Sequence, residues 1–203
     1  KYRGSSPIHF SLLNGDKETG VCIQKMVKNM DAGDILLSEK LRIDKNDNYQ
    51  ILSEKFKKII PGLVKKFINI INSGKSFQYR VQNESEVTYA PLIKKEDGLL
   101  KPENDSFDII TNKIRAFSLW PGVFCYINSL RIKIHEIKRS QHLVSTGKLE
   151  IIDKSIIIGL RDESIEVLEL QPPGKKPVKA ADYINGLKEI KNLQLTTSME
   201  IEV

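Results

Sequence analysis

In the first half of the chain, the order of apolar and polar residues is typical of a helix in some segments and of a β-strand in others. Pro7 directly follows Ser5-Ser6, and proline is favoured in the first turn of a helix, so a helix is predicted from Ser5 or Ser6 to about Asn14. The β-rich run 20–27 predicts a buried strand, interpreted as a parallel strand of an α/β sheet, and the run 35–43 predicts a second strand. The polar residues between them, including Asp31, form a predicted loop.

The next apolar pattern has helical spacing on both sides of a proline. It extends from Tyr49 to Ile60 and again over 63–71, and it stops at Ser73-Gly74. Pro61-Gly62 lies between the two parts, and an internal proline lacks the N–H that the helix needs. The sequence therefore predicts two amphipathic helices with a break or a kink at Pro61-Gly62.

The second half of the chain has a different pattern of polar and apolar residues. A polar stretch up to about residue 105 is typical of an interdomain linker, and helical spacing over 107–117 follows it. Five short β-rich runs separated by turns then predict a small β-barrel. These runs are 123–127, 130–137, 147–152, 155–160 and 164–170. A short helix is expected over 180–188, and residues 189–203 are expected to be a tail.

Composition and charge narrow the class of protein only moderately. Of the 203 residues, 40% are hydrophobic and 29% charged, which is ordinary for a globular protein. The net charge of +6 permits an anionic partner. Residues 1–103 carry 18 Lys and Arg against 13 Asp and Glu, whereas residues 104–203 carry 14 against 13. A nucleic-acid site in the second half would therefore be a local patch.

The cysteines and apolar runs exclude several other classes. No apolar run reaches the length of about 18 residues that a membrane span needs. Cys22 and Cys125 both lie in apolar runs and are expected to be buried thiols in a reducing cytoplasm. Two cysteines are too few for a disulfide framework, and no metal site is predicted.

Four stretches together carry a resemblance that none of them carries alone. They are K-Y-R-G-S-S-P-I (1–8) with L-N-G-D-K-E-T-G-V (13–21), M-D-A-G-D-I-L (30–36), T-Y-A-P-L-I-K-K-E-D-G (88–98) leading to I-R-A-F-S-L-W-P-G-V-F (114–124), and L-Q-P-P-G-K-K-P-V-K-A-A-D-Y-I-N-G (170–186). With these motifs the chain resembles the bacterial methionyl-tRNA formyltransferase family over residues 1 to about 188. The first two stretches are shared with other enzymes that use 10-formyltetrahydrofolate.

The resemblance implies a fold class of α/β plus all-β. Residues 1–78 would be the rear half of a Rossmann-like formyltransferase domain, 79–105 a linker, and 106–203 a C-terminal OB-like β-barrel that binds tRNA. The family's preceding segment, which contains an Asn-x-His motif, is not in this sequence, so the chain is expected to be a C-terminal portion that is inactive alone. A cytoplasmic monomer without membrane contact is expected.

Asp31 matches the catalytic aspartate of that family. The implied reaction transfers a formyl group from 10-formyltetrahydrofolate to the α-amine of initiator methionyl-tRNA, for initiation of translation. The amine must lose a proton when it attacks the formyl carbon, and a carboxylate can accept or relay that proton. The competing interpretation is that Asp31 only caps the turn at Gly33, since a lone Asp in a glycine-containing loop is most often a turn residue. Asp34 is expected to be structural.

Ligand-binding residues follow from the same resemblance and from local charge. The loop before Asp31 is implied to line the pteridine pocket of the folate, with residues Met26, Val27, Lys28, Asn29 and Met30. Two basic clusters are candidates for phosphate contacts of tRNA, Arg131, Lys133, Lys138 and Arg139 in one and Lys175, Lys176 and Lys179 in the other. The alternative for each cluster is a solvated lysine-rich surface. Trp120 could stack a base, but core packing is the expectation.

Other functions remain open at this point. A sugar-nucleotide N-formyltransferase would share the donor and the two-domain layout, although a small substrate needs no extended basic surface. A glycinamide ribonucleotide formyltransferase fits less well, because it lacks the C-terminal domain. A non-catalytic RNA-binding remnant would account for the missing Asn and His.

Overall fold

The computed structural model describes residues 1–187 and 194–196. The chain divides into two compact units, Lys1–Ile93 and a second that begins at Lys94. Across the described residues, no helix has the length and apolar character required to cross a membrane.

The first unit contains two helices and a β-hairpin. Helix α1 (Pro7–Leu13) precedes strands β1 (Glu18–Gln24) and β2 (Ile35–Arg42), and helix α2 (Tyr49–Asn72) follows. Strands β1 and β2 pair antiparallel, from Glu18 opposite Arg42 to Ile23 opposite Leu37. The expected parallel pairing of β1 is not found among the described residues. The two strands are joined directly by residues 25–34, and a parallel connection needs a crossover of a dozen or more residues.

Helix α2 corrects the prediction of two helices. It continues through Pro61 without interruption, and it begins where the Asn48 side chain accepts a hydrogen bond from the amide of Ile51. Phe56 and Leu63, on either side of the proline, are both buried. Burial of a large apolar side chain contributes about 1.5–3 kcal/mol, so keeping one continuous apolar face offsets the roughly 3 kcal/mol cost of an internal proline.

Residues 80–90, which the sequence places in a linker, are hydrogen-bonded into the first unit. Arg80 exchanges both main-chain hydrogen bonds with Ile35 at the start of β2, each at 2.9 Å. Further along, the amide of Arg3 donates to the carbonyl of Thr88 at 2.9 Å, and the amide of Ala90 donates to the carbonyl of Arg3 at 2.8 Å. This segment therefore connects the start of β2 with the residues that precede α1.

In its described residues, the second unit is built on an antiparallel sheet of seven strands. Helix α3 (Phe107–Ala116) begins at Ser106, whose side chain accepts from the amide of Ile109. The remaining elements are β3 (Val123–Ile127), β4 (Leu130–Arg139), β5 (Leu149–Ile152), β6 (Ser155–Gly159), β7 (Ser164–Gln171), β8 (Val178–Lys179), α4 (Ala180–Asn185) and β9 (Leu195–Thr196). The strand order is β5-β6-β7-β4-β3-β9, and β8 pairs with β7.

Local sequence accounts for the hairpins of this sheet. Asn128 and Ser129 turn β3 into β4, and Asp153 and Lys154 turn β5 into β6, with positive φ at all four residues. Two-residue turns of this kind match the twist of the flanking strands. The five predicted strands are all present, within two residues of their predicted bounds.

Two expectations for the second unit are wrong. Trp120, expected in the core, is 53% exposed, because the core is filled by the aliphatic side chains of the strands, such as Ile132 and Ile158. Residues 195–196, expected to be tail, pair with β3 as β9. The predicted end of the last helix at Lys188 and most of the predicted tail lie outside the described residues.

Candidate active site

Asp31 occupies a sharp corner between β1 and β2. Its φ is +52°, in the left-handed region that Asp tolerates better than most residues. Gly33, two residues later, is buried, and a Cβ there would lie 1.8 Å from the carbonyl oxygen of Lys25. The loop can therefore close on itself only with glycine at this position. The Asp-Ala-Gly sequence thus shapes the corner and also supplies a carboxylate.

Both carboxylate oxygens of Asp31 are held by hydrogen-bond donors. The main-chain N–H of Gly4 donates to Oδ2 at 2.9 Å, and Nε2 of Gln24 donates to Oδ1 at 3.2 Å. Each carboxylate oxygen has a further lone pair, so the group can still accept a proton from a bound molecule. The arrangement orients a partly exposed carboxylate, which goes beyond what capping a turn requires.

A second glutamine, Gln82, supports the main chain of the same corner. Nε2 of Gln82 donates to the main-chain carbonyls of Asp31 at 2.9 Å and Gly33 at 2.6 Å, and it lies 3.2 Å from Oε1 of Gln24. Arg3 donates in turn to Oε1 of Gln82. The sequence assigned no role at this corner to Gly4, Gln24, Gln82 or Arg3. Arg3 and Gly4 lie in the quoted motif K-Y-R-G, but up to 81 positions separate partners in this network, so no local pattern links these residues to Asp31.

Arg3 brings a positive charge close to this network. The residue is only 8% exposed, and its guanidinium makes two hydrogen bonds to the Glu84 carboxylate, the shorter at 2.7 Å. The hydrogen bond to Glu84 raises the pKa of Arg3, and the bond from Arg3 lowers the pKa of Glu84. The guanidinium therefore stays charged and fixed beside Gln82.

The neighbouring carboxylate and histidine have partners that fit structural roles. Asp34 forms an ion pair with Lys25, with Nζ 3.3 Å from Oδ2. His9 stacks on Tyr49 with 4.2 Å between ring centroids, and desolvation lowers the pKa of His9.

The loop implied to bind folate lies in solvent in this structure. Met26 is fully exposed, Met30 is 74% and Val27 is 52% exposed, and Lys28 and Asn29 are exposed as well. Two methionines and a valine beside the Asp31 corner are an apolar surface on which a flat ring could pack. Their role in binding stays a prediction.

The first basic cluster on β4 is partly neutralised within the fold. Lys138 pairs with Glu166 at 3.0 Å, and Arg139 contacts the carboxylates of Glu163 and Asp108. Arg131 stacks on the ring of Phe124, with its Cζ 3.9 Å from the centroid, and its Nη2 donates to the carbonyl of Pro121. Its buried Nε has no hydrogen-bond partner in the described part of the chain.

The remaining predicted cations are more available. Lys175, Lys176 and Lys179 are exposed, and the Lys133 side chain extends along Gly122. Within residues 1–187 and 194–196, no ion pair involves any of these four lysines. Of the two predicted clusters, the one around Lys175 is therefore the one whose positive charges are not balanced by acidic side chains among the described residues.

The two cysteines differ, contrary to the expectation that both are buried. Cys22 is exposed on β1, because it lies on a face of the two-stranded sheet that no described element covers. Cys125 is buried in β3, and desolvation raises the pKa of its thiol to about 12. Neither is paired in a disulfide.

The first unit thus presents an oriented carboxylate on a hairpin corner, and a separate β-rich unit follows it in the chain. Sequence comparison identifies the family that has these parts. The chain belongs to the formyl transferase family: the model described as "Formyl transferase" matches residues 1–66, and "Formyl transferase, C-terminal domain" matches 92–188. Among curated proteins, it is similar to the methionyl-tRNA formyltransferase of Malacoplasma penetrans, at 35% identity over 196 residues. That alignment covers 94% of this chain and 60% of the relative. The chain thus spans about 60% of the length of the curated relatives it matches.

Solved structures agree on the fold. HypX from Aquifex aeolicus, solved in complex with tetrahydrofolic acid, superposes with a TM-score of 0.61 at 16% identity, over 90% of this chain and 32% of HypX. WlaRD, a sugar 3N-formyl transferase, superposes with a TM-score of 0.59 at 24% identity, over 87% of this chain and 62% of WlaRD. At these identities the likeness extends to the fold alone.

Proposed function

We propose that this chain is part of an enzyme that formylates initiator methionyl-tRNA for the initiation of translation. The formyl donor in this proposal is 10-formyltetrahydrofolate, and the reaction is a one-carbon transfer to the α-amino group of methionine. The curated relatives that carry this name share about a third of their residues with this chain over almost its whole length. The observation that carries the proposal is the Asp31 carboxylate, oriented by Gly4 and Gln24 and still able to accept a proton.

The proposed chemistry of Asp31 is proton transfer. When the α-amine nitrogen bonds to the formyl carbon, the nitrogen acquires a positive charge and the formyl oxygen a negative one. A carboxylate near the amine, directly or through water, accepts the nitrogen's proton and relays it toward the departing folate nitrogen. The hydrogen bonds that Gly4 and Gln24 donate to Asp31 hold the carboxylate in one orientation. The carboxylate therefore does not need to reorient as charge develops in the transition state.

The proposed folate contacts are Met26, Val27, Lys28, Asn29 and Met30. Support comes from their position immediately before Asp31 and from the apolar exposure of both methionines. The folate bound in the HypX structure is consistent with a folate donor in this family. In this proposal no metal takes part in the transfer.

The proposed RNA-binding surface lies in the second unit. In this proposal the second unit is an OB-like barrel, and residues 79–105, or part of them, connect it to the formyltransferase domain. Exposed Lys175, Lys176 and Lys179 would contact phosphates, as would Lys133 and Arg131, and the exposed Trp120 could stack a base. Lys138 and Arg139 are weaker candidates, because acidic neighbours already balance their charges. The enzyme is proposed to act as a cytoplasmic monomer.

A sugar-nucleotide N-formyltransferase is the second candidate. It is favoured by the likeness in fold to WlaRD and by the acidic partners that reduce the basic surface of β4. Such an enzyme would use the same Asp31 chemistry on a smaller amine.

The deciding experiment uses the full-length protein made from the complete reading frame. It is incubated with 10-formyltetrahydrofolate and either methionyl-initiator tRNA or an amino-sugar nucleotide, and N-formyl products are measured by mass spectrometry. Formyl-methionyl-tRNA supports the proposal, and formylated sugar alone supports the second candidate. Neither product, together with retained tRNA binding, would indicate a non-catalytic RNA-binding protein.

A further inference from the structure

Gln82 has one side-chain orientation, set by Arg3. The guanidinium of Arg3 approaches Oε1 of Gln82 through Nε at 3.3 Å and Nη2 at 3.0 Å. Because a guanidinium can only donate hydrogen bonds, the atom facing it has to be the amide oxygen. The amide nitrogen of Gln82 is therefore turned toward the carbonyl oxygens of Asp31 and Gly33.

The same logic sets the orientation of Gln24. Nε2 of Gln82 lies 3.2 Å from the Gln24 side chain, so the atom of Gln24 that faces it is the acceptor Oε1. The amide nitrogen of Gln24 then points to Oδ1 of Asp31 at 3.2 Å. A directional chain of donors thus extends from Arg3 through Gln82 and Gln24 to the carboxylate, and we refer to these four residues as the amide relay.

We infer that Gln82 is a positioning residue for Asp31, acting on its carboxylate through Gln24 and on its main chain directly. This inference rests on the proposed function, in which Asp31 transfers the proton. Gln82 holds the two carbonyls that flank Ala32, so it stabilises the left-handed corner itself as well as the side chain. It touches no reacting atom and is therefore not a catalytic residue.

The main chain around Gln82 is rigid enough for this role. Two residues before it, Arg80 is paired with Ile35 in β2, and six residues after it, Thr88 accepts the amide of Arg3. The first anchor lies on β2, the strand that pairs with β1 and its Gln24, and the second lies on Arg3 itself. A displacement of about 1 Å in a reacting group can lower a rate by a hundredfold, so a fixed corner matters for transfer.

Gln82→Glu in the full-length protein tests the inference through pH. The variant retains an oxygen for Arg3 but, when ionised, turns a carboxylate oxygen toward two carbonyls, which repel it. When protonated, it regains one O–H donor. We expect kcat at pH 8 to fall by about 10- to 100-fold relative to the unaltered protein. Because the Arg3 guanidinium favours the ionised form of the introduced carboxylate, that ratio should narrow only as the pH approaches the ordinary pKa of Glu, about 4.3. In Gln82→Leu, which has no donor at any pH, the ratio should stay constant.

Controls separate this inference from the proposed function. Gln78→Glu alters an exposed glutamine four residues earlier and should leave kcat and its pH profile unchanged. Equal rates for Gln82→Glu and the unaltered protein at every pH would overturn the inference while the proposed function stands. If the unaltered protein forms no formyl product, the proposed function fails instead. The relay is then judged by the side-chain amide NMR signal of Gln24, which should shift in Gln82→Glu and not in Gln78→Glu.

Discussion

The main-chain N–H of Gly4 donates to Oδ2 of Asp31 at 2.9 Å, across 27 positions of sequence. Gly4 has a φ of +127°, and a Cβ at this position would lie 2.6 Å from the carbonyl oxygen of Ala90. Glycine is therefore required twice over, by its backbone conformation and by the close approach of another segment. The Lys-Tyr-Arg-Gly motif at the start of the chain has a direct structural connection to the candidate catalytic carboxylate.

Replacing Gly4 by alanine should destabilise the fold and impair the site. We expect a loss of about 1–3 kcal/mol in the free energy of unfolding, because both φ and the Cβ contact are unfavourable. Denaturant unfolding measures the loss. Gly74→Ala is the matched control, because Gly74 also has a positive φ of +66° but nothing lies within 4 Å of its Cβ position. Similar losses in both variants would mean that the contact with Ala90 has no effect.

Asp31→Asn should lower kcat for formyl transfer by about 10²- to 10⁴-fold in the full-length protein, the range typical of a lost general base. Asn has a single acceptor oxygen, so one of the bonds from Gly4 and Gln24 is also lost. Rates come from single-turnover assays, and circular dichroism checks the fold. Asp34→Asn, which breaks only the ion pair with Lys25, should retain most activity. An unchanged rate in Asp31→Asn would indicate that Asp31 only caps the turn.

Double replacement of Lys175 and Lys176 by alanine should weaken tRNA binding and reduce the slope of log K against log salt by about two. Both side chains are exposed, and releasing counterions from phosphates is the expected source of their affinity. Binding is measured by fluorescence anisotropy at several salt concentrations. Lys138→Ala is the control, since Lys138 already pairs with Glu166 and should change the slope less. An unchanged slope in the double variant would remove these lysines from the interface.

Cys125 should resist alkylation in the folded chain, whereas Cys22 should react. The pKa of Cys125 is raised to about 12, so at pH 8 only about one thiol in ten thousand is ionised, and it is also buried. Raising the pH toward 12 should increase its thiolate fraction. Mass spectrometry of iodoacetamide-treated peptides from the 203-residue chain distinguishes the two sites. Rapid native labelling of Cys125 would show that β3 opens readily.

Short-range sequence signals determined much of the secondary structure. Ser6 before Pro7 marked the start of α1, Ser106 capped α3, and the paired turn residues Asn128-Ser129 and Asp153-Lys154 placed two hairpins. These features depend on interactions within a few residues, so they can be read from a single sequence. The resemblance carried by the motifs likewise indicated the family and pointed to Asp31.

Tertiary structure decided what local patterns leave undetermined. The burial of Phe56 and Leu63 on one face of α2 overrode the helix-breaking tendency of Pro61. In the second unit, aliphatic side chains fill the core, and Trp120 is left about half exposed. Gln82 lies in a stretch that is polar enough to suggest a linker, yet its amide reaches Asp31, 51 positions away. Such contacts depend on how distant segments pair, which neither periodicity nor residue type encodes. The sequence therefore supplied the carboxylate, whereas the fold supplied the donors that hold it in place.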